Sequence, residues 1–203
     1  LGDQSRRPSK LMETWKTLNP DWEHKIWTEE NMPELQCQPQ FDAMAELAGK
    51  ADILRYEILF NEGGFYIDAD AECTKPLDDF FLDNDSFCCW ENEYTRTGLM
   101  ANGYLGAIKG NALMGLMINT IKQIPIQVMK DFPPLTAWQT VGPSLLTKMI
   151  QHHTYHKIEV YPSHYFIPLH YTGVDQSYKK QIYGKQYYMS TPISGNSYDD
   201  FKD

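Results

Sequence analysis

Leu11, Trp15 and Leu18 stand four and then three residues apart, on one face of a short helix that Asn19-Pro20 stops. Glu23 to Thr28 (EHKIWT) predicts a strand, and a turn-rich connector with Pro33 and Pro39 follows. From Phe41 to Phe60 the helical period returns, with Met44, Leu47, Ala51, Leu54 and Ile58 on one side. Gly63-Gly64 supplies the left-handed residue that ends such a helix. Phe65 to Ile67 is then an apolar strand running into Asp68. Ser86–Trp90 (SFCCW), Tyr104–Ile108 (YLGAI) and Lys157–Tyr161 (KIEVY) predict further strands. Ala112–Ile124 and Gly142–Gln151 predict helices, the second with Pro143 in its first turn. The last thirty residues are rich in Tyr, Gly, Ser and Lys and read as a loop or lid.

Helix, glycine turn, buried strand and acidic end make an α/β pattern, and open α/β sheets place ligands outside the carboxyl ends of their strands. At that end GGFYIDADAE, Gly63 to Glu72, puts Asp68 and Asp70. Successive strand side chains alternate faces, so Asp68 and Asp70 are expected to point the same way, with α-carbons roughly 6.5–7 Å apart. Carboxylates so placed repel, and a cation between them offsets the cost.

The 203 residues suit a single domain spanning residues 1–203, without repeat, low-complexity tract or linker. Thirteen Tyr, nine Phe and five Trp are enough to line a pocket as well as fill a core. The net charge is −9, and no basic cluster exceeds Arg6-Arg7 or Lys179-Lys180, which argues against a nucleic-acid partner. No basic amphipathic segment and no apolar run of about 18 residues appears, which argues against a membrane anchor in this chain. Cys37, Cys73, Cys88 and Cys89 form no CxxC pair. They read as free thiols of a reducing, cytoplasmic compartment. The chain opens on Leu, so its true beginning is expected to be missing.

DADAE admits several chemistries. An EF-hand needs Gly at the sixth position and Glu at the twelfth; here these are Cys73 and Asp79, which excludes it. A phosphohydrolase with Asp68 as nucleophile also places D-x-D after an apolar strand, but the following AEC and the long preceding helix fit it poorly. A D-x-D can instead hold a divalent cation on the diphosphate of a nucleotide sugar, a role that suits Mn²⁺ or Mg²⁺ because hard cations prefer carboxylate and phosphate oxygens. A solvated acidic turn is the plainest alternative for so short a motif.

The neighbourhood bears on the choice. ADILRYEILFNEGGFYIDADAE, Ala51 to Glu72, resembles the sugar-binding DXD region of glycosyltransferase family 32 and of the large clostridial glucosylating toxins. WKTLNPDWEHKIWTEEN upstream, and KPLDDF, NGYLGAIKGNALM and VGPSLLT downstream, extend the resemblance over most of Trp15 to Thr147. The compact size, the absent anchor and the free thiols set the chain apart from Golgi relatives. The expected source is a bacterial enzyme or a glycosylation module of a large DNA virus that resembles the capsid-glycan transferases of chlorella viruses.

By that resemblance Asp70 is expected to ligate the metal, and Asp68 to contact the donor ribose or the metal through water. Asp52 and Arg55 are expected to hold donor-sugar hydroxyls and a phosphate edge, and Tyr66 to line the nucleotide slot. Read from spacing alone, Asp52 and Arg55 are equally an i, i+3 pair on a helix surface, contributing about 0.2–0.5 kcal/mol. His170 in PLHYTGV is the candidate third metal ligand, while His152, His153 and His156 read as solvated. Glu91, Glu93 and Asn102 are candidates for the acceptor side. The family's first strand, whose Trp stacks on the base, is absent from this chain, and a clear S-W ending is absent too.

The expected fold is therefore α/β: a GT-A-type, Rossmann-like domain, with a mostly parallel central sheet flanked by helices and the DxD at a strand's C-terminal end. The segment from about 170 to 203 is expected to form a lid. The expected function is metal-dependent transfer of a hexose or deoxyhexose from a nucleotide sugar, UDP-linked by resemblance. The acceptor is a hydroxyl of a glycan or glycoprotein, and the resemblance implies retained configuration. A phosphohydrolase and a catalytically silent sugar-nucleotide-binding module stand as alternatives.

Overall fold

The computed structural model describes residues 1–130, 136–152, 157–190 and 194–202. Helix α1, Ser9–Leu18, forms where the apolar spacing places it and buries Leu11 and Trp15. Its Trp15 Nε1 donates to the Ala71 carbonyl at 2.8 Å, tying the helix to the DxD region. The helix expected from Phe41 to Phe60 is two: α2, Gln38–Ala43, and α3, Leu47–Glu62. Met44 and Glu46 between them take extended backbone. Tertiary contacts fix this break, since Met44 is buried and the Glu46 carboxylate accepts from the Ala137 N–H at 3.1 Å. α3 ends on Gly63 at φ 74°, and an added Cβ there would stand 2.6 Å from the Lys109 nitrogen.

The chain continues through β1 (Gly64–Ile67), β2 (Ala71–Cys73), β3 (Ser86–Asn92) and β4 (Arg96–Ala107). Helices α4 (Ala112–Lys122), α5 (Ile126–Lys130), α6 (Ala137–Thr140) and α7 (Pro143–His152) follow, then β5 (Ile158–Tyr161) and β6 (Gly184–Gln186). His153 and His156 lie outside the described residues.

The main sheet has the order β1-β4-β3-β5 and is mixed, not mostly parallel. β4 pairs antiparallel with both β1 and β3, and only β3–β5 is parallel. Chain connections explain this. β3 and β4 are joined by a tight turn that permits only antiparallel return, whereas β5 arrives after the helical crossover that a parallel pair needs. Glu23–Thr28, expected as a strand, pairs with no strand among the described residues; Lys25 anchors it to Glu62 at 2.7 Å.

Alternate residues of β4 face opposite sides, so Leu105 and Tyr104 enter different cores. Leu105 joins Ile53, Leu59, Met114 and Leu146 beneath α3, α4 and α7. Tyr104 joins an aromatic cluster of Trp15, Phe81, Phe87, Phe166 and Tyr183. α3 is buried nearly all round, which forces its polar residues to find internal partners. Residues 170–190, expected as part of a lid, are tied down at several points. Tyr183 lies 5.0 Å ring to ring from Phe81, Gln176 and His170 are buried, and β6 pairs antiparallel with β2. All four cysteines are buried free thiols. No helix among the described residues is long and apolar enough to cross a membrane.

Candidate active site

β1 delivers Asp68 to the mouth of a cleft of about 1520 Å³. The Asp68 N–H donates to the Gly103 carbonyl at 3.0 Å, and the Asp68 carbonyl accepts from Ala71 N at 3.2 Å. The chain therefore turns over Ala69-Asp70 instead of continuing as one strand. Asp70 is buried, and both its oxygens are engaged from the β6 side of the molecule. Gln186 Nε2 donates to Oδ1 at 2.7 Å and the Met189 N–H donates to Oδ2 at 2.8 Å. Burial, and then the charge of Asp68, pushes the Asp70 carboxyl up to about 6. Gln186 Oε1 is buried beside it without a partner. Two mutually repelling carboxylates and an orphaned amide oxygen make a hard-oxygen donor set, which fits a divalent cation of the Mg²⁺ or Mn²⁺ kind.

His170 does not join this set. Its Nε2 lies 3.3 Å from Glu91 Oε1 and its Nδ1 2.7 Å from the Thr172 hydroxyl. Among the described residues no three His, Cys, Asp or Glu side chains cluster as metal ligands. The expected third ligand is thus corrected: Gln186 and the Met189 backbone occupy the place beside Asp70.

Behind Asp68, α3 supplies a network in which Arg55 is central. Its Nη2 lies 3.1 Å from both Asp52 Oδ1 and Asp68 Oδ1, and its Nη1 donates to the Asn102 carbonyl at 2.6 Å. Its guanidinium carbon sits 4.5 Å from the centroid of the Tyr66 ring. Asn102 Nδ2 donates to Asp52 Oδ1 at 2.8 Å and to Tyr56 Oη at 3.1 Å. The side chains of Arg55 and Asp52 are 4% and 8% exposed, so the surface-pair reading is wrong. Burial pushes Asp52 up to about 6 against the pull of Arg55 and Asn102. At Arg55 burial opposes the charge, and Asp68, Tyr66 and Asp52 together more than offset it. The two partners shift the same way because Arg55 has two carboxylates and Asp52 one cation.

Two glycines let backbone approach this network. A Cβ on Gly103 would stand 2.5 Å from Asp68 Oδ2, and one on Gly142 would stand 2.6 Å from Asp52 Oδ2. Sequence reasoning missed Gly103, although a glycine inside a strand pattern signals close approach. It also missed Gln186 and Met189, for which no local signal exists.

The expected acceptor residues divide. Glu91 lines the cleft and touches His170. Glu93 instead accepts from the Ser163 N–H at 2.8 Å and from the Ser163 hydroxyl, which makes it a brace. Asn102 belongs to the Asp52–Arg55 network and lines the same cleft.

Residues 5–88 match the family described as "Glycosyltransferase sugar-binding region containing DXD motif". The chain is 26% identical over 162 residues to "Inositol phosphoceramide mannosyltransferase 3" of Schizosaccharomyces pombe, covering 69% of this chain and 44% of that protein. It is 29% identical over 109 residues to "Initiation-specific alpha-1,6-mannosyltransferase" of Candida albicans, covering 47% of this chain and 26% of that protein. The chain thus spans less than half the length of these relatives. A solved structure titled "PaToxG Glycosyltransferase" superposes with a TM-score of 0.51 at 15% identity, over 75% of this chain and 64% of that one. That likeness establishes the fold as GT-A-like.

Proposed function

We propose that this chain, whose residues 5–88 match the DXD sugar-binding region, is a glycosyltransferase of the DXD family that moves a hexose from a nucleoside-diphosphate sugar to an acceptor hydroxyl. The observation that carries this reading is the DxD turn joined through Arg55 to a buried Asp52 in one cleft. A phosphohydrolase needs no such buried sugar-side network. The names of the relatives favour mannose as the hexose; the nucleotide expected from sequence resemblance is UDP.

A divalent cation, when bound by Asp70 and Asp68, neutralises charge on the departing diphosphate. The chain's own residues bind and orient. Asp52, fixed by Arg55 and Asn102, offers a carboxyl group for donor-sugar hydroxyls at the inner end of the cleft. Arg55 holds Asp68 in place, and Tyr66 flanks the donor slot beside it. In the transfer, the acceptor oxygen bonds to the sugar C1 as the bond from C1 to the diphosphate oxygen breaks. The acceptor proton passes to that diphosphate. Attack on the face from which the diphosphate leaves gives retained configuration.

Thermal melts with UDP- and GDP-linked hexoses, with and without Mn²⁺ or Mg²⁺, test the reading. One donor should stabilise the chain only with metal, by about 2.7 kcal/mol at a hundred times its Kd. Asp70→Asn, which keeps one of the two accepting oxygens, should abolish that shift and turnover while the unliganded chain still melts cooperatively, destabilised by about 1–3 kcal/mol. Metal-independent binding, or turnover kept in Asp70→Asn, would sink the assignment.

A further inference from the structure

Charge at the donor end of the cleft does not close without a further cation. A divalent cation shared by Asp68 and Asp70 is offset by those two carboxylates, and Arg55 stands 3.1 Å from both Asp52 and Asp68. A nucleoside diphosphate leaving the sugar C1 brings negative charge that these groups do not balance, in a chain whose net charge is already −9. Arg6, Arg7, Lys16, Lys25, Arg55 and Arg96 line the cleft. Arg7 donates to Gln4 Oε1 at 2.6 Å, Lys25 to Glu62 at 2.7 Å and Arg96 to Tyr171 Oη at 3.1 Å, while Lys16 stands 3.9 Å from Glu13. The Arg6 side chain is exposed and has neither an ion pair nor a hydrogen bond among the described residues; its guanidinium carbon lies 5.7 Å from the centroid of the Tyr198 ring.

Arg6 stands where the two ends of the chain meet. The Lys10 N–H donates to the Phe201 carbonyl at 3.3 Å, which ties the start of α1 to the tail. The tail is fastened in turn to the DxD. The Tyr187 N–H donates to the Asp70 carbonyl at 3.1 Å, Asn196 Nδ2 donates to the Tyr187 carbonyl at 2.5 Å, and the Phe201 ring lies 4.7 Å from that of Tyr187. Tyr198, between Asn196 and Phe201, lines the cleft with Asp68 and Asp70. Burial, then the charges of Asp70 and Asp68, push its phenol up to about 12, while Arg6 pulls the other way. One ring thus feels the DxD acids and Arg6 together, which puts the guanidinium at the DxD end of the cleft.

A guanidinium lying over a ring keeps its plane fixed and its N–H donors free, and that planar fork matches two oxygens of a phosphate. Resting on the glycosyl-transfer reading, we propose that Arg6 binds the departing diphosphate through the phosphate that leaves C1, with Tyr198 as the platform that positions its guanidinium. As the bond from C1 to the diphosphate oxygen breaks, the electron pair stays on that oxygen and the acceptor proton ends on the same diphosphate. A cation facing it then stabilises the transition state more than the bound donor.

Calorimetric titration of the full chain with UDP and GDP, each beside its monophosphate and with Mn²⁺ present, tests this. Arg6→Gln should weaken the diphosphate that binds by about tenfold or more and its monophosphate by less than about threefold. Arg6→Lys should restore part of the loss. Tyr198→Phe keeps the ring under the guanidinium and should bind the diphosphate as the wild type does, whereas Tyr198→Ala should lose part of the affinity. Arg7→Gln, at a side chain already held by Gln4, should stay within about twofold, which separates a contact from bulk charge. Without nucleotide Arg6→Gln should melt with the wild type, because the exposed side chain supports no hydrogen bond. Unchanged diphosphate affinity in Arg6→Gln, an equal loss for mono- and diphosphate, or an equal loss in Arg7→Gln overturns the proposal. If the wild type binds neither diphosphate with metal, the transfer reading itself has failed, and this proposal with it.

Discussion

Arg55 decides how the donor half responds to substitution. An exposed i, i+3 pair contributes a few tenths of a kcal/mol, but neither Arg55 nor Asp52 is a tenth exposed. Deleting one partner of a buried pair costs about 3–5 kcal/mol, because the other charge is left without compensation. Arg55→Ala is therefore expected to lose that much unfolding free energy in urea, together with transfer. A loss below about 1 kcal/mol would put the pair back among weak surface pairs. Arg55→Lys keeps the charge but not the fork that reaches Asp52, Asp68 and the Asn102 carbonyl at once. It should fold better than the alanine variant and still lose about tenfold or more in turnover. That Asp52, Arg55, Tyr66, Asp68 and Asp70 come together was legible in the sequence because they lie within twenty residues on one helix, turn and strand. Gln186 and Met189 were not, since they reach Asp70 across 116 and 119 residues. Glu93 and His170 were misread for a related reason: a sequence gives a side chain's chemistry but not the Ser163 or Glu91 that occupies it.

Among the elements, α1, α4 and α7 followed their apolar periods closely because each buries one stripe. The break at Met44–Glu46 carried no such mark, since its cause lies in a contact with Ala137. Strand direction was unreadable in the same way, because the β3–β4 turn and the later crossover set it, not the strands' own composition. Within β4 one position combines both kinds of information. Gly103 accepts the Asp68 N–H through its backbone, while its missing side chain leaves room for Asp68 Oδ2. Gly103→Ala should leave the ladder intact and push the carboxylate away from Arg55. Losing a charge-assisted hydrogen bond of about 1.5–3 kcal/mol corresponds to roughly ten- to hundredfold weaker metal-dependent nucleotide binding. The melting temperature should hold near wild type, because the Asp68 side chain is 30% exposed and can turn into solvent. Unchanged affinity, or a collapse of stability without nucleotide, would show that Asp68 does not need the space.

Over the whole molecule, two buried acids in one cleft tie stability to pH. Burial raises Asp52 from 3.8 to about 6, and burial with the charge of Asp68 raises Asp70 to about 6. Between those values the folded chain holds protons that the unfolded chain has released. That contribution is complete below the ordinary carboxylate value and is lost as pH rises through about 6. Glu93 works the other way: burial would raise it, but its hydrogen bonds from Ser163 hold it low, so its contribution is lost on acidification. Each pKa unit is worth about 1.4 kcal/mol, which bounds the Asp52 share at about 3 kcal/mol. Urea unfolding of the wild type and of Asp52→Asn, both in chelator, isolates it. Between about pH 4 and about pH 7 the wild type should lose up to about 3 kcal/mol that the variant keeps, since the amide has no proton to release. Parallel pH profiles would mean that Arg55 holds Asp52 ionised throughout. In that case the ion pair outweighs burial at this position, and the inner end of the cleft would present a permanent carboxylate to the donor sugar.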